Sequence, residues 1–583
     1  MLSYPKYNDG TQTVMQTKFG GFNRHDSASD GEIYDMLNMT SDSYPVMSTR
    51  EHRYEIAELY GPVTNERIIA SFDVADTPFF LCAIGTSTDD EELTAVALVK
   101  DGSGNDMYHM VLFRDNRGFS RQNVSATAYN DRLIVYYDGK MSEVYFDREA
   151  KKIVSKRADF SLYWDEGVAI WHNTALTTTY IQIQLSYEGD ISVAEQIRQF
   201  RVGDVLTVTP NMGDDVDFKI LSVSVGTDDY LNDAVQLSTH YIKDIYTTMS
   251  PEDDVGVDSL SIVYWSGGVR RRIPSFNRII SNNDRIWGIN GNEIYCSASE
   301  NPYTWYDFDT STVARSFYAK VPYVGQFTGI CSYMGDVFFF TKEEVYRMYG
   351  STPDAFSLRS LGFFGCEEGE SCGTAMQALF YNSTRGPALF DGESAKLINR
   401  PFGNLVPKNT VGCGCGTKYY LADGEYLYVY DIQNGTWHKE DGAGIVDMIV
   451  IGGRLVIAYD DTRVFYYQHD FDRDGVSFEA PIKSCVEFAD ISEGSPYYIT
   501  AGEITLRLWL DEGSELSMYI SYDGGEYELI HSTTQPGKHS ETVRYTPKQR
   551  CDHYRLKFEG VGAWKLYSMM RTYQVGSNVK YGG

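Results

Sequence analysis

A chain of 583 residues is about four times the common domain size, so two to four domains are expected. Hydrophobic residues at 42% and charged residues at 23% are those of a globular protein and exclude disordered, collagen-like and membrane classes. A formal charge of −30, from 51 basic against 81 acidic residues, repels phosphate; it argues against wrapping of nucleic acid or docking on anionic lipid, while a smooth channel through which DNA slides stays compatible.

Tyrosine occurs 45 times and glycine 52 times, a bias toward strands and turns. No run approaches the roughly 18 apolar residues of a membrane span. The opening MLSYPKYNDG lacks a basic segment followed by an apolar core, so neither signal peptide nor membrane anchor is expected, and synthesis is cytoplasmic. Nine cysteines in no regular framework read as reduced and buried. Cys413 and Cys415 stand close together without a second pair or a nearby histidine, so no metal and no cofactor is expected.

Helical periodicity is nearly absent, and the chain reads as all-β. Residues 1–60 are expected to hold an N-terminal arm and the first propeller strands, and 61–160 the first part of a β-propeller. There Asn130-Asp131-Arg132 leads into LIVYYD and then EVYFD, a strand, turn, strand unit. Residues 161–268 have a grammar of their own. Phe200-Arg201-Val202-Gly203-Asp204 feeds VLTVTP, and FKILSVSV, AVQLSTHYI and SLSIVYW follow, about five strands of an OB-like barrel. From 269 to 470 the hairpin unit returns at Asn283-Asp284-Arg285, Gly335-Asp336 and Gly452-Gly453-Arg454.

Spacing identifies the repeat. Asp284 and Asp336 are 52 residues apart, and the 117 from Asp336 to Gly453 hold three periods of about 39. Periods of roughly 40–50 residues mark propeller blades. The 153 residues from Asp131 to Asp284 exceed one blade; removing 161–268 leaves 45. Beyond 471, EITLRLWL, LSMYISYDGG and WKLYSMMRTYQV alternate at period two, as in a C-terminal β-sandwich.

The segment Phe19 to Arg50 resembles the N-terminal region of phage virion proteins that form the tail hub or nozzle of short-tailed phages. The matching residues are Gly20-Gly21-Phe22-Asn23, Gly31-Glu32 with Asn38-Met39, and Pro45 with Arg50; Asn277 to Phe308 and RVGDVLTV are similar too. The resemblance implies a non-enzymatic virion protein: a propeller with an inserted platform barrel, assembled as a hexameric ring below the portal and adaptor. It implies tail fibres or spikes as neighbours and double-stranded DNA passing through the lumen. Phe19, Gly20, Gly21, Phe22 and Asn23, then Arg270, Arg271 and Arg272, become the assembly candidates. Two features depart from the family: the charged FNRHDS stretch and the C-terminal sandwich, which points to fibre attachment or surface binding.

Other motifs weigh less. Asp470, Asp472 and Asp474 with Gly475 match the front of a calcium loop, but Pro481 stands where its last glutamate belongs. Ser521-Tyr522-Asp523-Gly524-Gly525 resembles an Asp-box turn, a folding device. Three consecutive arginines on a strand cannot converge on one ligand, because neighbours point to opposite faces. No HExxH, GxSxG or phosphate-loop motif occurs. His438 beside Trp437 reads as a blade-end position. Trp509, Tyr522 and Trp564, with Tyr519 and Tyr527, are candidates for stacking on sugar rings, against the alternative that the tryptophans are core. The function expected first is the tail hub; the alternative is a glycan-binding adhesin.

Overall fold

A computed structural model describes residues 10–25, 32–60, 66–85, 90–101, 104–158, 160–164, 168–173, 178–183, 200, 202, 205–210, 216–225, 235–241, 260–264, 266–307, 313–322, 324–467, 479–546 and 550–579. Among them the protein is all-β and propeller-like: seven sheets of four antiparallel strands, one inserted domain and a two-sheet sandwich. No helix there is long and apolar enough to cross a membrane.

The seven small sheets share one local rule. In each, a two-residue turn joins the first strand to the second, at 75–76, 130–131, 283–284, 334–335, 376–377, 416–417 and 452–453. The first turn residue has a left-handed backbone every time: Ala75, Asn130, Asn283, Met334, Met376, Gly416 and Gly452. Such turns match the twist of the flanking strands and fix hairpin register. Asn and Gly reach that conformation at little cost, which is why their turns are legible in the sequence.

The chain divides into two compact units. The larger holds residues 1–118, 340–345 and 361–583. Its four-stranded sheets cover 66–115, 373–397 and 411–441, and a fourth joins Ile445–Ile451, Arg454–Tyr459 and Arg463–Tyr467 to the early strand Arg53–Glu58. A blade is thus completed by a strand from the other end of the chain, with Tyr54 opposite Tyr466 and Arg53 opposite Tyr467. Consecutive sheets pack face to face: Ile68, Phe80 and Val96 meet Val456 and Val464, and Tyr420 and Leu427 meet Met448 and Ile457.

The same unit contains the sandwich. One sheet has Gln12–Gln16, Met39–Thr40, Met47–Thr49, Tyr497–Leu510, Gly537–Val543 and Trp564–Val579; the other has Ile33–Leu37, Lys483–Phe488, Glu515–Tyr522, Glu528–Thr533 and Tyr554–Val561. Leu506, Leu508, Leu516, Met518, Leu556, Phe558 and Trp564 fill the space between them. The boundary expected at 471 therefore misses four strands. Residues 12–49 belong to the sandwich rather than to a separate arm, because their apolar side chains complete its core.

The smaller unit holds 119–339 and 346–360. Sheets at 124–158 and 278–320 pack through Ile134, Tyr136 and Met141 against Ile279, Ile286 and Tyr295. The insert is larger than expected. Eight strands from Phe160–Trp164 to Ser266–Arg272, rather than about five, pair into one antiparallel sheet over an apolar face of Ile181, Leu206, Val208, Phe218, Ile220 and Val269.

Candidate functional site

The N-terminal segment is an internal staple. Its apolar residues alternate with turns, so it forms short extended pieces that borrow partners from elements hundreds of residues away. The Phe19 amide donates to the Pro45 carbonyl at 3.0 Å, that of Phe22 to Trp437 at 2.9 Å, and that of Arg24 to Pro401 at 2.8 Å. The Phe22 ring meets Phe402 edge-on at 5.3 Å, and Phe19 meets Phe488 at 6.4 Å. Phe19 and Phe22 are buried, and a Cβ on Gly21 would lie 2.0 Å from the Trp437 carbonyl oxygen. These residues were expected to contact a neighbouring copy; the chain itself occupies them. Gly20 alone has open space beside it, and Asn23 donates to Glu32 at 2.9 Å.

Behind the staple lies a buried ion network that sequence reading missed. The Arg50 guanidinium donates to both oxygens of Glu479, at 2.7 and 2.9 Å, and to Asp441 at 2.8 Å. Arg53 donates to Glu440 at 2.9 Å, to the Asp441 carbonyl at 2.8 Å and to the Tyr459 hydroxyl at 2.8 Å. Tyr467 completes Glu440 at 2.6 Å. Burial disfavours the charges of Arg50, Arg53 and Glu479, and the hydrogen bonds and opposite charges outweigh it. Glu479 is therefore held below the usual carboxylate range and Arg53 far above the usual guanidinium value. Buried arginines need carboxylates, but residues 50, 53, 440, 441 and 479 carry no common spacing that would pair them.

A cleft of about 560 Å³ opens beside the staple, lined by Met15, Gly20, Asn23, Thr436, Trp437 and Arg571 among others. Arg571 is already held by Glu493 at 3.0 Å and by Gln16 at 2.9 Å, and among the described residues the lining carries no histidine or cysteine. Trp437 is a fully buried blade residue whose indole N–H donates to the Ile398 carbonyl at 2.8 Å. Its neighbour His438 is buried too, and burial, with Lys418 adding to it, pushes the imidazole down to about 4. Cys413 and Cys415 pack against a blade core, where burial pushes the Cys413 thiol up.

The arginine run closes the last strand of the insert, Ser266–Arg272, and its members part as expected. Arg271 is 0% exposed and stacks on the Tyr306 ring at 3.3 Å, while Arg272, on the other face, pairs with Asp217 at 2.9 Å. Arg271 is thus removed from the assembly candidates by burial and Arg272 is committed within the chain; Arg270 is half-buried. Asp470, Asp472 and Asp474 lie outside the described residues.

The sandwich separates the three stacking candidates. Trp564 is 0% exposed, its indole N–H bonded to Ser484 at 2.8 Å, so it is a core residue and not a sugar platform. Tyr522 is half-buried against the same core. Trp509 differs: it falls between buried Leu508 and Leu510, on the outward phase of its strand. Lys538 and Lys565 flank it in register on the two neighbouring strands.

No family model matches this chain, and no curated protein matches it. Among solved structures it is similar to BamB from Moraxella catarrhalis, with 11% identity and a TM-score of 0.33 over 73% of this chain and 98% of that one. It is also similar to the Pan2 WD40 domain of Neurospora crassa, with 8% identity and a TM-score of 0.27 over 77% and 98%. A third is the calcium structure of a Trichoderma reesei carbohydrate-active enzyme of family AA12, with 9% identity and a TM-score of 0.22 over 76% and 98%.

Proposed function

We propose that this chain is a structural component of a phage tail, forming a ring-shaped hub or nozzle below the portal and adaptor that retains packaged DNA and conducts it during ejection. The observation that carries this reading is the eight-stranded domain inserted between consecutive four-stranded blades, the arrangement that the resemblance of Phe19 to Arg50 and Asn277 to Phe308 implies. The net charge of −30 supports it, since an acidic ring leaves sliding phosphates few partners. The test is light scattering and negative-stain imaging of the purified protein, alone and mixed with a portal–adaptor complex. Rings with a lumen of about 20 Å or more, enough for duplex DNA, are expected. Monomers under both conditions would overturn the proposal.

A second reading, attachment to a glycan-bearing surface, is favoured by one observation: the outward Trp509 between two lysines. Sedimentation of the protein with bacterial wall fragments tests it.

A further inference from the structure

The outer face of the larger sandwich sheet concentrates positive charge around aromatic rings. On Tyr497–Leu510 the outward positions beside Leu506 and Leu508 are Thr505, Arg507 and Trp509. On Gly537–Val543 they are Lys538, Ser540 and Thr542, and on Trp564–Val579 they include Lys565 and Tyr567. None of these eight is acidic, in a chain where acids outnumber bases by 30, and the exposed Glu503 stands further along the strand, beyond Thr505.

The cations here are also unlike their neighbours. Elsewhere in the sandwich Arg555 pairs with Asp490 and Glu487, Arg571 with Glu493, and Lys557 with Glu559. Arg507, by contrast, is exposed and has no carboxylate partner among the described residues. Lys538 lies over the Tyr567 ring at 3.7 Å, and Lys565 donates to the Ser43 hydroxyl at 3.1 Å. Strand spacing places Lys538 and Lys565 roughly 10 Å apart with Trp509 between them.

We propose that this face binds an acidic polysaccharide, with Trp509 stacking on a sugar ring and Arg507, Lys565 and Lys538, the last held over Tyr567, pairing with its carboxylates or other anionic groups. The inference rests on the surface-attachment reading and names its ligand class. Charge complementarity selects the occupant: a neutral glycan leaves three cations without use. A duplex brings dense phosphate against the acidic remainder of the chain, whereas a polymer with spaced anions does not. Aromatic faces and forked guanidinium groups are the parts such recognition needs.

The test is electrophoresis of the full chain through native gels cast with polygalacturonate or with neutral dextran, alongside a duplex DNA shift assay. Retardation by polygalacturonate and not by dextran is expected, weakening as salt rises. Trp509→Ala and the double variant Lys538→Glu/Lys565→Glu are each expected to bind about tenfold more weakly or worse. Ser540→Ala on the same face is expected to match the parent, and thermal melting of each variant separates lost binding from lost fold. No retardation of a folded parent, equal retardation of the Trp509 variant, or stronger binding of duplex DNA would overturn the proposal. Wall fragments that still sediment the Trp509→Ala protein at parental strength would refute this face while leaving attachment intact. Fragments that sediment no form of the protein would remove the attachment reading itself.

Discussion

The strand Arg53–Glu58 completes a blade begun some four hundred residues later, and Arg53→Met tests what holds it there. The Arg53 and Glu440 side chains are 3% and 1% exposed. Removing the guanidinium leaves the Glu440 carboxylate with the Tyr467 hydroxyl at 2.6 Å and the Arg50 Nε at 3.7 Å. Breaking a buried pair by deleting one partner costs about 3–5 kcal/mol, and the surviving contacts place this case near 3. Glu440→Gln retains volume and one acceptor, and leaves Arg53 facing Asp441 at 3.5 Å, a smaller loss of about 1.5–3 kcal/mol. Joining Arg53→Met to Glu440→Leu removes both charges, so the double variant should recover at least 2 kcal/mol relative to the sum of its parts. Hydrogen exchange of the amides from 53 to 58, which pair with Arg463–Tyr467, reads the effect locally. A rise of about 100-fold in the single variant is expected. Losses under about 1 kcal/mol that simply add would show that the network stabilises nothing.

Gly21→Ala should cost about 1–3 kcal/mol and expose the N-terminal segment to protease, because its methyl meets the Trp437 backbone, whereas Gly20→Ala, with open space, should be neutral. His438 is held below its unfolded value, so the unfolded chain takes the proton first as pH falls. The stability His438 contributes is present above about pH 6.5 and lost toward pH 4, reaching about 3 kcal/mol. His438→Gln should therefore flatten the fall in melting temperature between pH 7 and pH 4.5, and an unchanged slope would refute this. Val202 and Leu221 of the insert are 68% and 46% exposed, so Val202→Asp and Leu221→Asp should leave melting unchanged and abolish any ring seen by light scattering if the insert joins neighbouring copies.

How much was legible follows from which interactions are local. Asn130-Asp131, Asn283-Asp284 and Gly452-Gly453 announce hairpins because their residues suit a left-handed backbone. Met334 and Met376 occupy the same place without that preference; Gly335 still marks the first of these turns, and nothing in Met376-Gln377 marks the second. The insert showed itself through spacing, but its strand count did not, since strands joined by polar loops are hard to number without their partners. The N-terminal pairing, Val14 opposite Arg571 for example, is set by contacts across almost the whole chain and leaves no local pattern. Trp509 and Trp564 were separable in principle: Leu506, Leu508 and Leu510 mark the buried phase of their strand, and Trp509 falls on the other.

Burial of the N-terminal segment reshapes the hub proposal. Phe19, Gly21 and Phe22 bond the sandwich to two blades of the same unit, so a substitution there loosens the chain itself and does not report on assembly alone. Contacts between copies must then come from surfaces the chain leaves open. In the insert, one sheet face is core and the other half-exposed, with Val202 and Leu221 outward. In the sandwich, the open face is cationic and aromatic, the surface assigned above to an acidic ligand. On the hub proposal the candidate ring contacts are Val202 and Leu221 of the insert, and on the attachment proposal the candidate ligand surface is the sandwich face. The two readings draw on separate residues, and one protein can serve both.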